Sequence, residues 1–293
     1  MLLAASTLWG TVGSAQALAA VGAAPAVVGA ARLAVGAVAL VAAGAAAGGL
    51  ASAWAPGRRR WTIGAGLATA VYQAAFFAAV DRTGVALGTL VALASAPVLC
   101  ALLARQVVGE RLPRGWGPAT ACAVAGCVLL LAPGADATAD ALGVALALVA
   151  GACYAVYTVS AKRLLSAGVQ PLPILAGSVA TGAIVLAPVL ASGAGGLASG
   201  RGLALVAWLG LVATGLGYVL FARGLAQVPA AAAGTLSLAE PLTASLLGVV
   251  VLGERPSGSA AAGAALLAAG LALATVGARS PAARRLQPSQ AAP

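Results

Sequence analysis

Ala94-Ser-Ala-Pro97-Val-Leu-Cys-Ala-Leu-Leu-Ala-Arg-Gln-Val-Val-Gly109-Glu110-Arg111 is one of two matching stretches; the other is Leu238-Ala-Glu240-Pro241-Leu-Thr-Ala-Ser-Leu-Leu-Gly-Val-Val-Val-Leu-Gly253-Glu254-Arg255. Pro97 and Pro241 stand 144 positions apart, as do Gly109 and Gly253, and Phe77-Ala78 and Phe221-Ala222 keep the same offset. The copies therefore align here without a gap. Each is a long apolar segment with a proline inside, closed by Gly-Glu-Arg. A repeat of this length in a chain this apolar points to a membrane transporter built from two related halves.

Composition supports the membrane reading. Of 293 residues, 62% are hydrophobic and only 8% are charged. A soluble domain carries roughly 25% charged residues, so there is too little charge here to cover a water-facing surface. The net charge is +10, but the arginines lie in short breaks between apolar runs rather than along one face with aromatics between them, which excludes nucleic-acid binding. Cys100, Cys122, Cys127 and Cys153 all sit inside apolar runs without a Cys-x-x-Cys pair, and there is no histidine. Packing is their expected role, and no metal or cofactor is expected. The N-terminus lacks a basic region ahead of its apolar run, so no cleaved signal peptide is expected.

A bilayer span needs about 20 mostly apolar residues. Ten such runs occur, at about 2–22, 26–48, 61–80, 85–106, 116–132, 141–160, 171–191, 203–222, 229–252 and 257–277. Lipid offers no hydrogen bonds, so runs this long satisfy their backbone as helices. The polar–apolar alternation of barrel strands is absent. With the N-terminus in the cytoplasm, Arg58, Arg59, Arg60, Arg105, Arg111, Arg114, Lys162, Arg163, Arg223, Arg279, Arg284 and Arg285 fall inside. Only Arg82, Arg201 and Arg255 fall outside, while Arg32 lies within the second span. The positive-inside rule then places both termini in the cytoplasm.

Five spans per repeat return the chain to the opposite face, so the second half must enter inverted. The loops agree: Arg58–Arg60 is cytoplasmic, while the loop after span seven carries only Arg201. Related sequence with opposite charge bias is the pattern of an inverted-topology transporter. The 39 glycines and abundant alanines suit close helix packing in lipid.

Several residues inside the spans are candidates for the pathway. Pro97 and Pro241 fall near the middle of spans four and nine, where each frees a carbonyl, that of Leu93 or Ser237. A kink that opens or flexes the pathway is one reading, and a fixed packing kink is the other. Glu240 is the only acid deep in an apolar run. Mid-membrane charge costs about 2.5–3.5 kcal/mol on insertion scales. Glu240 is therefore expected to line the pathway and bind a proton or a cationic substrate group; a structural bond, or a pair with Arg32, is the plainer alternative. Arg32 either snorkels to the outer interface or turns inwards as an anion site. Trp9, Tyr72, Gln73, Tyr154, Tyr157, Thr235 and Ser237 are further polar or aromatic groups inside spans, each open to a packing role as well as ligand contact. Trp54, Trp61 and Trp116 sit at span ends as interface anchors. Gly-Glu-Arg reads as a helix stop followed by a Glu–Arg pair across a solvated turn.

At these residues the sequence resembles the EamA family of the drug/metabolite transporter superfamily. The matching features are Leu8-Trp9-Gly10, Arg32-Leu33, Pro97 through Leu-Leu to Gly109-Glu110-Arg111, and Glu240-Pro241 through Leu-Leu to Gly253-Glu254-Arg255. The resemblance spans about residues 1–278. It implies a ten-helix bundle of two inverted five-helix repeats around a central cavity, and export of small metabolites or drugs across the inner membrane, often proton-coupled. This chain departs in having no membrane histidine and one deep acid, which would leave Glu240 to carry a proton.

The expectation is thus an all-α integral membrane protein with ten transmembrane helices as two inverted five-helix repeats. Residues 1–133 form the first EamA-like repeat, 141–278 the second, and 279–293 a disordered cytoplasmic tail. The expected function is secondary transport by alternating access, with proton coupling as one option and a passive facilitator or uniporter of polar metabolites as the alternative. A membrane enzyme is not expected, since no His, Asp or Cys cluster exists to support one. No Walker-type Gly-Lys-Ser/Thr occurs, which excludes ATP-driven pumping by this chain. Expected partners are a small-molecule substrate and the lipid bilayer, with no nucleic acid; a homo-oligomer is compatible with the sequence.

Overall fold

The structure, a computed structural model, describes residues 1–132 and 140–279. Asp136 and residues 280–293 of the expected tail lie outside the described residues. All regular elements among the described residues are helical. In order they are α1 (Leu2–Ala19), α2 (Pro25–Ala47), a 3-10 turn (Leu50–Ala53), α3 (Arg59–Val107), α4 (Trp116–Leu130), α5 (Ala141–Ser166), α6 (Pro171–Val185) and α7 (Ala187–Ala191). A second 3-10 turn (Ala194–Leu197) leads to α8 (Gly200–Ala207), a π-helical stretch (Trp208–Leu216), α9 (Gly217–Leu225), α10 (Ala230–Leu236), α11 (Ala239–Leu252) and α12 (Gly258–Arg279).

Six helical stretches are long and apolar enough to cross a bilayer: Pro25–Ala47, Arg59–Val107, Ala141–Ser166, Gly200–Leu225, Ala230–Leu252 and Gly258–Gly277. Trp116–Leu130 and Pro171–Val185 are apolar but shorter. The expected spans 61–80 and 85–106 appear as two arms of α3, broken at Gly84, whose φ of 81° and ψ of 162° are non-helical. The ends of the helices follow local chemistry. Pro25 and Pro171 open α2 and α6, where a missing N–H costs nothing. Asp140 caps α5, its carboxylate accepting from Leu142 N–H at 2.8 Å and Gly143 N–H at 3.0 Å. Those bonds, Gly143 foremost, and the neighbouring Arg82 hold the Asp140 carboxyl below its ordinary range.

Both Gly-Glu-Arg motifs end their helices in the same way. Gly109 (φ 68°) and Gly253 (φ 72°) take the left-handed conformation. The next N–H then reaches back six residues, Glu110 to Ala104 O at 3.3 Å and Glu254 to Gly248 O at 3.0 Å. A residue with Cβ adopts this left-handed ending only under strain. The expected Glu–Arg pair does not follow. Glu110 turns inwards, and its Oε2 accepts the Ala230 N–H at 2.7 Å. The Ala230 amide at the start of α10 lacks an intrahelical partner, and the carboxylate satisfies it with a charge-assisted bond.

The main packing partners are α3 with α5, α4 with α12, α2 with α6, and α1 with α11. The α4–α12 seam is built on small residues. A Cβ at Gly126 would lie 2.3 Å from Leu267 N, and one at Gly270 would lie 2.4 Å from Ala123 N. Cys122 Sγ donates to Leu266 O across the same seam at 3.4 Å. Positions 144 apart thus exchange places across this contact.

The connections also sort by end. On one side Arg58 donates to Ala167 O, Glu110 meets Lys162 and Ala230, and Gln227 reaches Met1. On the other, Arg82 pairs with Asp140 at 3.1 Å, and Gly196 packs on Ala23. The bend containing Gly193 and Gly196 meets the Ala23–Val27 end of α2, while Arg58–Arg60 follows its far end.

Candidate functional site

The second copy of the repeated stretch departs from a simple kink. Proline lacks an N–H and its ring crowds the carbonyl four residues back. The helix gives way there: α10 stops at Leu236, and α11 restarts at Ala239. The Ser237 carbonyl that Pro241 frees accepts the Glu240 N–H instead, at 3.0 Å. Leu238 N–H bonds Thr235 O at 3.1 Å. The break leaves no freed carbonyl at Ser237, as an apolar interior requires. It also sets Glu240 in the first turn of α11, where the helix dipole favours a carboxylate.

In the first half α3 continues through Pro97, and Ala96 stands in the place of Glu240. Pro97 and Pro241 are therefore not equivalent in structure: one is accommodated within a helix and the other follows a break. The difference lies upstream, in the Thr235–Leu238 turn and the partners of Ser237. Ser237 Oγ donates to Ala233 O at 3.0 Å and shares a short hydrogen bond with Tyr154 Oη.

Arg32, on α2, does not snorkel away from the protein. Its Nη2 donates to Gln73 Oε1 of α3 at 3.2 Å. Gln73 is 4% exposed, packed against Gly29, and its Nε2 lacks a hydrogen-bond partner. Arg32 lies within electrostatic reach of Glu240, Tyr72 and Tyr218. The two charges are not in contact: among the described residues the ion pairs are Arg82–Asp140 and Lys162–Glu110. A cation and an anion thus sense each other without touching, one from each half of the sequence.

Aromatic rings cluster near these groups, with Tyr72 and Tyr218 within electrostatic reach of both charges. Trp9 of α1 packs edge-on to Tyr218 of α9 with centroids 5.6 Å apart, and against Phe221 at 5.3 Å. Tyr157 of α5 meets Tyr218 at 5.4 Å, and Tyr154 meets Phe221 at 6.2 Å. Tyr72 stacks on Phe76 at 5.7 Å. Trp9 Nε1 donates to Ala213 O, within the π-helical stretch, at 3.0 Å. π-Helical turns are rare and recur at functional sites.

The structure therefore brings Glu240, Arg32, Gln73, Tyr72, Trp9, Tyr154, Tyr157 and Ser237 into one connected set, joined by Tyr218 and Phe221. Sequence reading passed over Tyr218 and Phe221. Both lie in the eighth apolar run, three positions apart on one helix face, and Phe221 was already marked as a repeat position. It also placed Lys162 in a loop, whereas α5 continues to Ser166 and Lys162 is buried. Trp116 likewise is no plain interface anchor: its Nε1 donates to Ala231 O and Thr235 Oγ1, both at 3.1 Å. Thr120 shares a 2.8 Å bond with the same Thr235 hydroxyl.

The EamA-like transporter family matches over residues 141–276. The uncharacterized transporter YwfM of Bacillus subtilis is 40% identical over 274 residues, covering 92% of this chain and 90% of its own. The threonine/homoserine exporter RhtA of Escherichia coli is 37% identical over 143 residues, covering 45% of each chain. A protein crystal structure superposes with a TM-score of 0.78 at 27% identity, covering 98% of this chain and 97% of that one. These relatives are transporters where an activity is stated, and the helices are those of a multi-pass membrane protein. The chain belongs to the EamA-like transporter family.

Proposed function

We propose that this protein is a secondary transporter exporting small polar or amphipathic metabolites across the cytoplasmic membrane by alternating access. The observation that carries the reading is the pair Arg32 and Glu240, held apart within an aromatic-lined set drawn from both halves. Two opposite charges that are near but unpaired suit a substrate carrying both signs, with its carboxylate to Arg32 and its ammonium to Glu240. RhtA, named for two amino acids of that kind, makes threonine and homoserine the first candidates. Glu240 would carry the proton if export is coupled to a gradient.

The two moving units are repeats 1–133 and 141–278, inverted with respect to each other, with both termini cytoplasmic. Support comes from the 144-residue offset shared by sequence and by the α4–α12 contacts, and from the distribution of basic residues. A transporter rather than an enzyme is favoured by the transporter relatives and by a chain without histidine.

The test is counterflow of radiolabelled threonine and homoserine in proteoliposomes, with and without a pH gradient. Exchange above that of empty liposomes is expected, with Glu240→Gln losing its response to the gradient. Exchange indifferent to pH in both forms would leave a passive facilitator. No counterflow of these amino acids or of a drug panel would overturn the reading.

A further inference from the structure

The Glu110–Lys162 contact forms no part of the site above, yet it is the buried ion pair among the described residues. Lys162 Nζ donates to Leu225 O at 2.9 Å and Val228 O at 2.8 Å, and lies 3.7 Å from Glu110 Oε1. Glu110 Oε2 accepts the Ala230 N–H at 2.7 Å. The lysine and glutamate side chains are 8% and 12% exposed. One cation thus binds two carbonyls at the end of α9, and one anion caps the start of α10. Together they tie the α3–α4 connection, α5 and the α9–α10 turn into one knot. That turn leads directly into the broken helix that bears Glu240.

Among the described residues the opposite end shows no such knot. The position matching Glu110 in the second copy is Glu254, which is exposed. The position matching Lys162 is Leu18, an apolar side chain 61% exposed. The ion pair found at that end, Arg82–Asp140, is 44% and 34% exposed, and such surface pairs hold little. Burying two charges is costly even when they are paired, so a pair of this kind is better explained by the state it selects than by stability. Burial pushes the Glu110 carboxyl up from its ordinary value, with Lys162 and the Ala230 N–H opposing.

We propose that Glu110 and Lys162 form the latch that closes the arginine-rich end of the pathway, released when that end opens and, among the described residues, without a counterpart at the other end. The latch rests on the transport reading. It makes the closed arginine-rich end the resting state, and opening there must break four polar contacts in concert.

Cys100 reports on it. The thiol is buried and packed on Gly234. It lies nine residues before Gly109, about 14 Å inward along α3. An impermeant methanethiosulfonate reagent is applied to inside-out and right-side-out vesicles, and labelling of each native cysteine is read by mass spectrometry. Lys162→Met is expected to raise Cys100 labelling at least tenfold from the arginine-rich face. Glu110→Gln, which leaves the lysine its two carbonyls, raises it less, and Lys162→Arg stays near wild type. If Lys162→Met fails to fold, Glu110→Gln decides. Unchanged labelling in the folded variants overturns the latch, as does an equal rise from both faces. Selective labelling without counterflow of any substrate sustains the latch and removes the transport reading instead.

Discussion

Replacing Gly126 by alanine tests the α4–α12 seam directly. The new Cβ would lie 2.3 Å from Leu267 N, 2.7 Å from its Cα and 2.8 Å from Gly263 O. These are backbone atoms, so no rotamer change relieves them. Ordinary contact begins at 3.4 Å, which means α4 and α12 must part by about 1 Å where they cross. Overpacking of this sort costs about 1–3 kcal/mol. Alanine regains up to ~1 kcal/mol of helix propensity over glycine. The net expectation is a loss of up to about 2 kcal/mol, which for a chain of this size lowers the melting temperature by up to roughly 3 °C. The assay is intrinsic tryptophan fluorescence during thermal unfolding in detergent. Gly13→Ala, whose Cβ meets nothing within 4 Å, is the control and should melt at or above wild type. Gly126→Ala combined with Gly270→Ala should cost less than the two separately, because the seam is already parted by the first. A Gly126→Ala protein that melts like the control would refute the close approach of these helices.

Three further outcomes are expected. Asp140 has its pKa lowered in the fold, so its carboxylate stabilises α5 above the unfolded-state pKa and loses that contribution as pH falls through the folded value. Wild type should therefore out-melt Asp140→Asn at neutral pH and converge with it in acid; parallel melting curves at every pH would contradict this. Trp9→Phe keeps the ring contacts but removes the bond to Ala213 O, and should cost about 0.5–1.5 kcal/mol in unfolding titrations. Unchanged stability would mean that the indole N–H does not hold α1 to the π-helical stretch. Arg32→Lys retains charge but loses the planar fork, so the KM for a carboxylate-bearing substrate should rise several-fold while Glu240-dependent gradient response persists. An unaltered KM would remove Arg32 from substrate binding.

The two halves share a sequence pattern but have diverged in what they do with it. Pro97 is absorbed within α3, whereas Pro241 follows a two-residue interruption that turns Glu240 to a helix start. The Gly-Glu-Arg motifs share one left-handed glycine ending, yet Glu110 is drawn into a buried pair and Glu254 is left exposed. Repetition preserved the backbone endings, which depend on a few local residues. The side-chain uses depend on what the other half presents, and that differs.

What the sequence determined follows from short-range physics. Apolar runs of bilayer length must be helical because lipid cannot satisfy the backbone. Glycine at 84, 109 and 253 marks helix breaks and ends because it accepts positive φ. The isolated acid Glu240 was conspicuous because charge among apolar residues is costly. Tertiary structure alone decided the partners. That Arg32 would meet Gln73, that Tyr218 would meet Trp9 of α1 and Tyr157 of α5, and that Lys162 would be buried opposite Glu110 all depend on contacts between residues 41 to 209 positions apart in sequence. Side chains of one helix carry no local record of which other helix will cover them, so the aromatic set and the latch appear only once the helices are packed.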